Sequence, residues 1–325
     1  MKRNLVIFSS FYRNLMENKL KIVFAGSPKS SSTILQSLID NNKVEIPYVI
    51  SQDPKRAKRG SKLIPTEVAI KATENGIDLL EPRSLDEIKK LITGLDFDFL
   101  LVAAYGKILP DWMLSAPVYE PINVHYSILP KHRGASPIQS TILAGDTVAG
   151  ISIMKMTKGL DEGPIYRKFN IDINKSDKEE LEDKLSVIAA KNITSILSEI
   201  KSKDIKPIEQ NEDDASYCKK IKKESGLINF QKDNAEKILL KFRAFKGWPG
   251  VFFRYKNVDI KIHGLKLLAP NDDIHMENSG SIFKVTKGGL YIKTVDSTIV
   301  ITHLQMPGKK VINKSDIYNA YSKLF

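Results

Sequence analysis

Short apolar runs alternate with amphipathic stretches through the first 200 residues, and this alternation predicts strands followed by helices. Residues 97–104 are almost continuously apolar, as expected of a parallel strand that is buried on both faces. The predicted strands are 21–26, 44–50, 77–80, 97–104, 150–156 and 164–169. The predicted helices are 27–39, with Ser27 as N-cap and Pro28 in the first turn, 68–72, 85–92, 136–144 and 178–200. This order indicates an α/β fold with a mostly parallel sheet.

The pattern changes after residue 200. A polar, charged segment leads to a predicted helix at 235–245 and then to short runs of strand character separated by turn residues. These runs are 251–255, 258–263, 280–285, 290–294 and 298–304. The spacing favours a small barrel or sandwich. We therefore divide the chain into an N-terminal extension (1–18), a catalytic domain (19–203), a linker (204–214) and a C-terminal domain (215–325).

The N-terminal extension has a basic character but no convincing element. Its apolar run, 5–8, is shorter than the core of a secretory signal peptide. We expect that this extension is disordered, or that the start codon is assigned too far upstream and translation begins at Met16.

Candidate chemistry begins on a short predicted strand around residues 122–126. Alternation of Ile122, Val124 and Tyr126 leaves Asn123 and His125 on the opposite face, side by side. An amide donor beside an imidazole suits acyl chemistry, in which an oxyanion and a proton must both be handled. Asp161 is a candidate carboxylate to orient the imidazole and to raise its pKa. The alternative is a histidine that is simply hydrogen-bonded in the core.

Several other kinds of site are excluded or unsupported. The single cysteine, Cys218, permits neither an intramolecular disulfide nor a cysteine-based zinc site, and it fits a cytoplasmic protein. No histidine pair has metal-ligand spacing, so no metal is expected. The first strand ends with one glycine where a dinucleotide fingerprint needs three, and neither a nucleophile elbow nor a P-loop is present. Asn, His and Asp could still assist an external nucleophile that attacks a carbonyl, and direct acyl transfer between two bound substrates needs only such groups.

The positive charge is unevenly distributed. The net charge is +12, and residues 201–325 hold 23 Lys and Arg against 14 Asp and Glu, a balance of +9. A second basic concentration, five Lys or Arg within 55–62, lies where a strand-to-helix loop is predicted. Both features suggest a polyanionic partner, nucleic acid first. The alternative in each case is a solvated lysine-rich surface.

An ordered series of motifs runs from residue 20 to residue 325. It comprises FAGSP (24–28), the RGxKLxP pattern (59–65), AYGKILP (104–110), NVHYSILPKHRGASPIQ (123–139), AGD (144–146), MKMTKGLDEG (154–163), RAFKGWPG (243–250) and the LQxxGKK pattern (304–310). By these motifs the chain resembles the folate-dependent formyltransferases. Ser27 and Gly247 stand where the family usually has Thr and Pro, and neither departure removes a proposed catalytic group.

The resemblance implies a Rossmann-like catalytic domain followed by a small OB-like β-barrel that binds tRNA. It implies formyl transfer from 10-formyltetrahydrofolate, a co-substrate, to the amino group of methionine on initiator tRNA. Asn123, His125 and Asp161 correspond to the family's catalytic group. The folate-contacting residues would be Ser127, Ile128, Leu129 and Pro130 together with Tyr105, Gly106, Ile108 and Leu109. The residues that approach tRNA would be Arg56, Lys58, Arg59 and Lys62.

Two alternatives stay open. The same three catalytic residues would serve a formyltransferase for another amine, such as a nucleotide sugar or glycinamide ribonucleotide. A catalytically silent tRNA-binding protein of the same fold is the second, although the intact Asn123, His125 and Asp161 argue against it. We expect a cytoplasmic monomer without a metal.

Overall fold

The computed structural model describes residues 19–56, 63–268 and 277–325. The predicted extension, as well as Lys58, Arg59 and Lys62, lies outside the described residues. The chain forms two compact units: the first takes 19–137, 148–172 and 182–218, and the second takes 138–147, 173–181 and 219–325. The segment 204–214, predicted as a linker, thus belongs to the first unit.

A mostly parallel sheet forms the centre of the first unit. Its strands are β1 (Leu20–Gly26), β2 (Val44–Glu45), β3 (Val49–Ile50), β6 (Leu79–Leu80), β7 (Phe99–Ala103), β8 (Glu120–His125), β10 (Val148–Lys155) and β11 (Ile165–Asp172). Two short pairs lie outside it, β4 (Lys55–Arg56) with β5 (Leu63–Ile64), and β9 (Arg133–Gly134) with β12 (Tyr217–Cys218). The sheet order is β11-β10-β8-β7-β1-β3-β6, with β2 beside β1. Strand β10 runs antiparallel to both of its neighbours, β8 and β11, and the other pairs of this sheet are parallel.

The central strands are those with the strongest apolar pattern. All five residues of β7 are buried, and so are Ile22 to Ala25 of β1. The single strand predicted over 44–50 is two short strands instead. Pro47 lies between them, and a proline cannot donate to a sheet ladder.

Eight α-helices occur in the described residues. They are α1 (Lys29–Ile39), α2 (Glu67–Glu74), α3 (Lys89–Thr93), α4 (Asp111–Leu114), α5 (Pro137–Leu143), α6 (Lys178–Lys201), α7 (Ala235–Ala244) and α8 (Lys314–Tyr321). The N-cap prediction for Ser27 was wrong, because Pro28 holds the cap position of α1 and no side chain caps it. The Ser27 hydroxyl donates instead to the carbonyl of Tyr105, at 3.3 Å. No helix in the described part of the chain is long and apolar enough to span a membrane.

The second unit is built on an antiparallel sheet, formed by the short strands that were predicted for the C-terminal domain. Its strands are β13 (Val251–Tyr255), β14 (Val258–Leu267), β15 (Ile282–Thr286), β16 (Gly289–Lys293), β17 (Thr298–Gln305) and β18 (Ile312–Asn313). The order is β13-β14-β17-β16-β15, and β18 pairs with β17. Strand β14 continues past the predicted end at 263, through register shifts on either side of Gly264. Helix α8 was not predicted, since Ile317 is its one buried residue.

Strand order in the first unit fixes where a ligand is expected. Chain order reverses between β1 and β7, the position at which open α/β sheets bind ligands outside the carboxyl ends of their strands. Gly26, Ala103 and His125 are the last residues of β1, β7 and β8. The Asn123–His125 pair therefore lies at this edge.

Candidate active site

Strand β8 places Asn123 and His125 on one face, as their spacing predicted. Asn123 is opposite Val102 of β7 on one side and opposite Met154 of β10 on the other, and His125 is opposite Ser152 of β10. Both side chains are buried. Asn123 therefore has ladder partners on two sides and His125 on one, so neither position is set by a loop.

Asp161 joins this pair from the segment between β10 and β11. Its Oδ1 lies 3.5 Å from Nδ2 of Asn123, and its Oδ2 lies 3.6 Å from Nδ1 of His125. The backbone N–H of Gly134 donates to Oδ2 at 2.8 Å. Asp161 has a positive φ of 54°, a conformation that only a few non-glycine residue types tolerate. The structure brings the three predicted catalytic side chains together around one carboxylate.

The environment of His125 favours a neutral imidazole. Its Nε2 lies 3.1 Å from the carbonyl oxygen of His132, and since a carbonyl only accepts, Nε2 carries a hydrogen. Burial lowers the pKa of His125, while the Asp161 charge and the hydrogen bond to His132 act in the opposite direction without cancelling it. Asp161 therefore raises the pKa as predicted, but burial outweighs it. The unprotonated Nδ1 faces Asp161 and can take up a proton there.

The segment predicted to contact folate, 127–130, is hydrogen-bonded to β10. The Ser152 hydroxyl donates to the carbonyl of Ser127 at 2.8 Å and accepts from the N–H of Leu129 at 3.0 Å. The Leu129–Pro130 peptide bond is cis. The Leu129 side chain packs with Met154 and Ile165. Ser152, which is fully buried, is a supporting residue that the sequence analysis missed, because a serine in a strand carries no distinctive signal.

The second predicted folate segment, 105–110, follows β7. Tyr105 is buried, and its carbonyl accepts hydrogen bonds from Ser27 and from the Gln52 amide. Burial, with a smaller effect of the Asp53 charge, raises the pKa of Tyr105 to about 12. Ile108 is 95% exposed, whereas Leu109 is buried. Ile108 is therefore an apolar side chain that this segment presents to solvent.

Arg133 is a further residue whose surroundings the sequence analysis did not anticipate. Its side chain is fully buried, and its guanidinium donates to Glu212 at 2.6 and 2.9 Å and to the Tyr217 hydroxyl at 3.0 Å. The pairing of β9 with β12 brings these partners together. Arg133 thereby anchors the segment that follows α6 to the catalytic stretch.

The tRNA-binding prediction is only partly within the described residues. Arg56 is exposed on β4, which forms a two-stranded ribbon with the exposed Leu63 and Ile64 of β5. Lys58, Arg59 and Lys62 lie outside the described part, so their role stays a prediction. Among the residues that the structure describes, no group of His, Cys, Asp or Glu is arranged to hold a metal.

A mostly parallel sheet with an Asn, a His and an Asp converging at the end of a strand is the scaffold and site of an α/β group-transfer enzyme. Comparison with known families then identifies which one: the chain belongs to the formyl transferase family. The model described as "Formyl transferase" matches residues 20–197, and the model "Formyl transferase, C-terminal domain" matches residues 220–322. This confirms the resemblance drawn from the motifs.

Individual relatives cover nearly the whole chain. A protein of Finegoldia magna named "Methionyl-tRNA formyltransferase" is 39% identical over 94% of this chain and 97% of its own length. One of the same name from Campylobacter hominis is 40% identical over 92% of this chain and 96% of its own. Among solved structures, WlaRD, described as a sugar 3N-formyl transferase in the presence of dTDP and 5-N-formyl-THF, has a TM-score of 0.63 at 18% identity, covering 90% of this chain and 99% of its own.

Proposed function

We propose that this chain transfers a formyl group from 10-formyltetrahydrofolate to the amino group of methionine on initiator tRNA. The observation that carries the proposal is the convergence of Asn123 and His125 on Asp161, in a chain that is about two-fifths identical to relatives named for this reaction. No protein nucleophile is needed, because both reactants are bound substrates.

The reaction is a direct acyl transfer. The methionine nitrogen attacks the formyl carbon and forms the new C–N bond, and the negative charge passes to the formyl oxygen. Asn123 has a second amide hydrogen that Asp161 does not occupy, and this hydrogen donates to the developing oxyanion. The intermediate then collapses, the bond from the carbon to N10 of the folate breaks, and the oxygen becomes a carbonyl again.

Protons move through His125 in this scheme. Its neutral Nδ1 accepts a proton from the attacking amine, and the resulting imidazolium is held between the His132 carbonyl and the Asp161 carboxylate. The same proton is delivered to N10 as the folate leaves. Lowering of the His125 pKa by burial keeps the base unprotonated before the amine arrives.

The binding surfaces follow from the predicted segments. Ile108 and the stretch 127–130 would hold the folate at the carboxyl edge of the sheet, and Arg56, Lys58, Arg59 and Lys62 would contact the tRNA. The C-terminal part of the chain carries most of the net positive charge and would bind tRNA through its phosphates. The protein would act as a cytoplasmic monomer without a metal.

A nucleotide-sugar formyltransferase is the alternative, because the catalytic group serves any primary amine. The likeness to WlaRD is one of fold, at 18% identity, whereas the relatives named for methionyl-tRNA are twice as similar and match almost end to end. The basic balance of residues 201–325 also favours a polyanion as large as tRNA.

The test offers the purified protein 10-formyltetrahydrofolate with either charged initiator methionyl-tRNA or a dTDP-linked amino sugar. We expect formylmethionyl-tRNA to form and tetrahydrofolate to be released in equal amount. Formylation of the sugar alone would overturn the tRNA assignment, and binding of tRNA without any transfer would favour the silent binder.

A further inference from the structure

Gln210, in the segment predicted as a linker, contacts the backbone that carries Asp161. Its Nε2 donates to the carbonyl of Asp161 at 2.8 Å and to that of Gly163 at 2.7 Å. Its Oε1 accepts from Nε of Arg133 at 3.1 Å. Both ends of this amide are therefore occupied, and the amide joins the segment of Asp161 to the segment of Arg133.

Arg133, which bonds to Gln210, is itself held rigidly in the structure. Its side chain is fully buried and is held by Glu212 and Tyr217 besides Gln210. The next residue, Gly134, donates its N–H to the Asp161 carboxylate. The segment 133–134 thus holds Asp161 through two hydrogen bonds. Gln210, which is bonded to Arg133, donates to the backbone carbonyl of Asp161, and Gly134 donates to its carboxylate.

Asp161 needs such support. Its φ of 54° is a conformation that persists when surrounding contacts enforce it, and glycines at 159 and 163 give the flanking backbone little stiffness of its own. A relaxation at this residue would move the carboxylate away from Nδ1 of His125, from which it is already 3.6 Å.

We propose that Gln210 is a positioning residue that holds Asp161 in register with His125 and Asn123. It touches no substrate and acts only through Asp161. The catalytic consequence rests on the proposed function, whereas the effect on His125 does not, because it is present in the free protein.

The substitution Gln210→Met removes both donors and the acceptor at nearly constant volume. Glu209→Met is the matched control, since Glu209 is the exposed neighbour on the same segment. The first readout is the pKa of His125 by NMR titration, with the resonance assigned from His125→Gln. Asp161 and His132 are the titratable groups that act on His125. We expect Gln210→Met to lower this pKa, because the Asp161 charge then lies farther away, and Glu209→Met to leave it unchanged.

A double-mutant cycle distinguishes positioning from a general structural role. Asp161→Asn is compatible with the left-handed backbone, which Asn tolerates. In that background Gln210→Met should lower the His125 pKa no further, because the charge through which Gln210 acts is gone. An equal decrease in both backgrounds, or no decrease in either, would refute the proposal.

Turnover supplies the second readout. Gln210→Met should reduce kcat by about tenfold to a hundredfold with a smaller change in either KM, as expected when a catalytic group is misplaced by a fraction of an ångström to 1 Å. Thermal unfolding checks that the variant is folded. If it is not, Gln210→Asn, which keeps the amide but shortens the reach by one methylene, takes its place in the same measurements.

A change in KM alone, with kcat intact, would contradict the positioning role of Gln210. If the wild-type protein transfers no formyl group to methionyl-tRNA, the proposed function is refuted. The titration of His125 then decides the role of Gln210 by itself.

Discussion

The three proposed catalytic residues differ in how firmly the fold holds them. Asn123 lies in hydrogen-bonded ladders on both sides of β8, and His125 lies in the ladder with β10. Asp161 is outside the sheet and depends on Gly134 and Gln210. Asp161, which carries the negative charge of the site, is therefore the most easily displaced of the three residues. Substitution of Asp161 is accordingly the most direct test of the site.

Replacing Asp161 by Asn should abolish most turnover without weakening binding. The amide still accepts from the Gly134 N–H but no longer stabilises an imidazolium at His125. We expect kcat to fall by roughly 10²- to 10⁴-fold, the usual contribution of acid–base catalysis, while the dissociation constants for folate and tRNA stay unchanged. Single-turnover kinetics and equilibrium binding measure the two effects, and undiminished turnover would remove Asp161 from the mechanism.

Burial of His125 should also make stability depend on pH. In the unfolded chain its pKa is the ordinary value of 6.5, and in the folded chain it is lower. Between these two values the unfolded chain binds more protons, so the free energy of unfolding falls as the pH falls through 6.5, and the loss is complete below the folded-state pKa.

His125→Gln should therefore lose less stability than the wild type on acidification. The midpoint of thermal unfolding would be compared near pH 7.5 and near pH 5.5, roughly one unit to either side of the free histidine pKa. If both proteins also carry Trp248→Phe, the fluorescence of Trp112 reports on the first unit alone. Equal losses in both proteins would show that His125 titrates normally.

At the scale of elements, the short β9–β12 pair has an effect beyond its length. It joins the catalytic stretch to the segment after α6, and its two residues on each side include Arg133 and Gly134. Gly134 has a φ of +117°, and a Cβ placed there would collide with the backbone carbonyl of Cys218. A side chain at this position would have to separate the two strands.

Gly134→Ala should accordingly reduce both stability and turnover. The matched control is Gly76→Ala, because Gly76 also has a positive φ, +65°, but nothing lies within 4 Å of the position that a Cβ would take there. Both variants bear the conformational cost of about 1 kcal/mol or more, while only Gly134→Ala adds the clash and shifts the N–H that holds Asp161. We expect a larger decrease in unfolding temperature and a loss of kcat for Gly134→Ala alone; equal behaviour of the two would show that the strand pair tolerates separation.

Elements with strong local patterns were predictable, and contacts made by register were not. Period-two spacing placed Asn123 and His125 on one face, and continuous apolar runs located β1 and β7, because these are local properties of the chain. The same runs predicted the α/β fold, and the change of pattern after residue 200 predicted a C-terminal domain of short strands; both are confirmed. The N-cap prediction at Ser27 failed because the helix begins one residue later than predicted, which puts Pro28 at the cap position.

Gln210 and Ser152 show why the residues that hold the site in place could not be predicted from the sequence. Each is a common polar residue whose role arises only when β10, or the segment after α6, is brought beside a distant stretch. Asp161 was found through its motif rather than its pattern, since a single carboxylate in a glycine-flanked segment has many meanings. Local sequence thus indicates candidate catalytic residues, and tertiary register decides what holds them in place.

At the scale of the whole molecule, charge distribution is the feature that matters for substrate choice. The proposed catalytic group lies in the first unit, while residues 201–325 carry +9 of the net +12. A formyl donor and a small amine would need neither this excess nor the basic stretch 55–62. The excess is explained if the amine is presented on a polyanion whose phosphates are contacted over a wide surface.

Two single-charge substitutions can distinguish a specific contact of the stretch 55–62 with tRNA from a general effect of the net positive charge. Arg59→Ala and Lys191→Ala, the latter on the exposed side of α6, lower the net charge equally. If Arg59 contacts a phosphate, its loss should raise the KM for methionyl-tRNA and reduce the slope of log KM against log salt by roughly 0.7–0.9. Lys191→Ala should do neither, and kcat should hold in both because the site at β8 is untouched. Equal effects would mean that net charge alone attracts the tRNA; a change in folate affinity after Arg59→Ala would mean that the stretch belongs to the folate site instead.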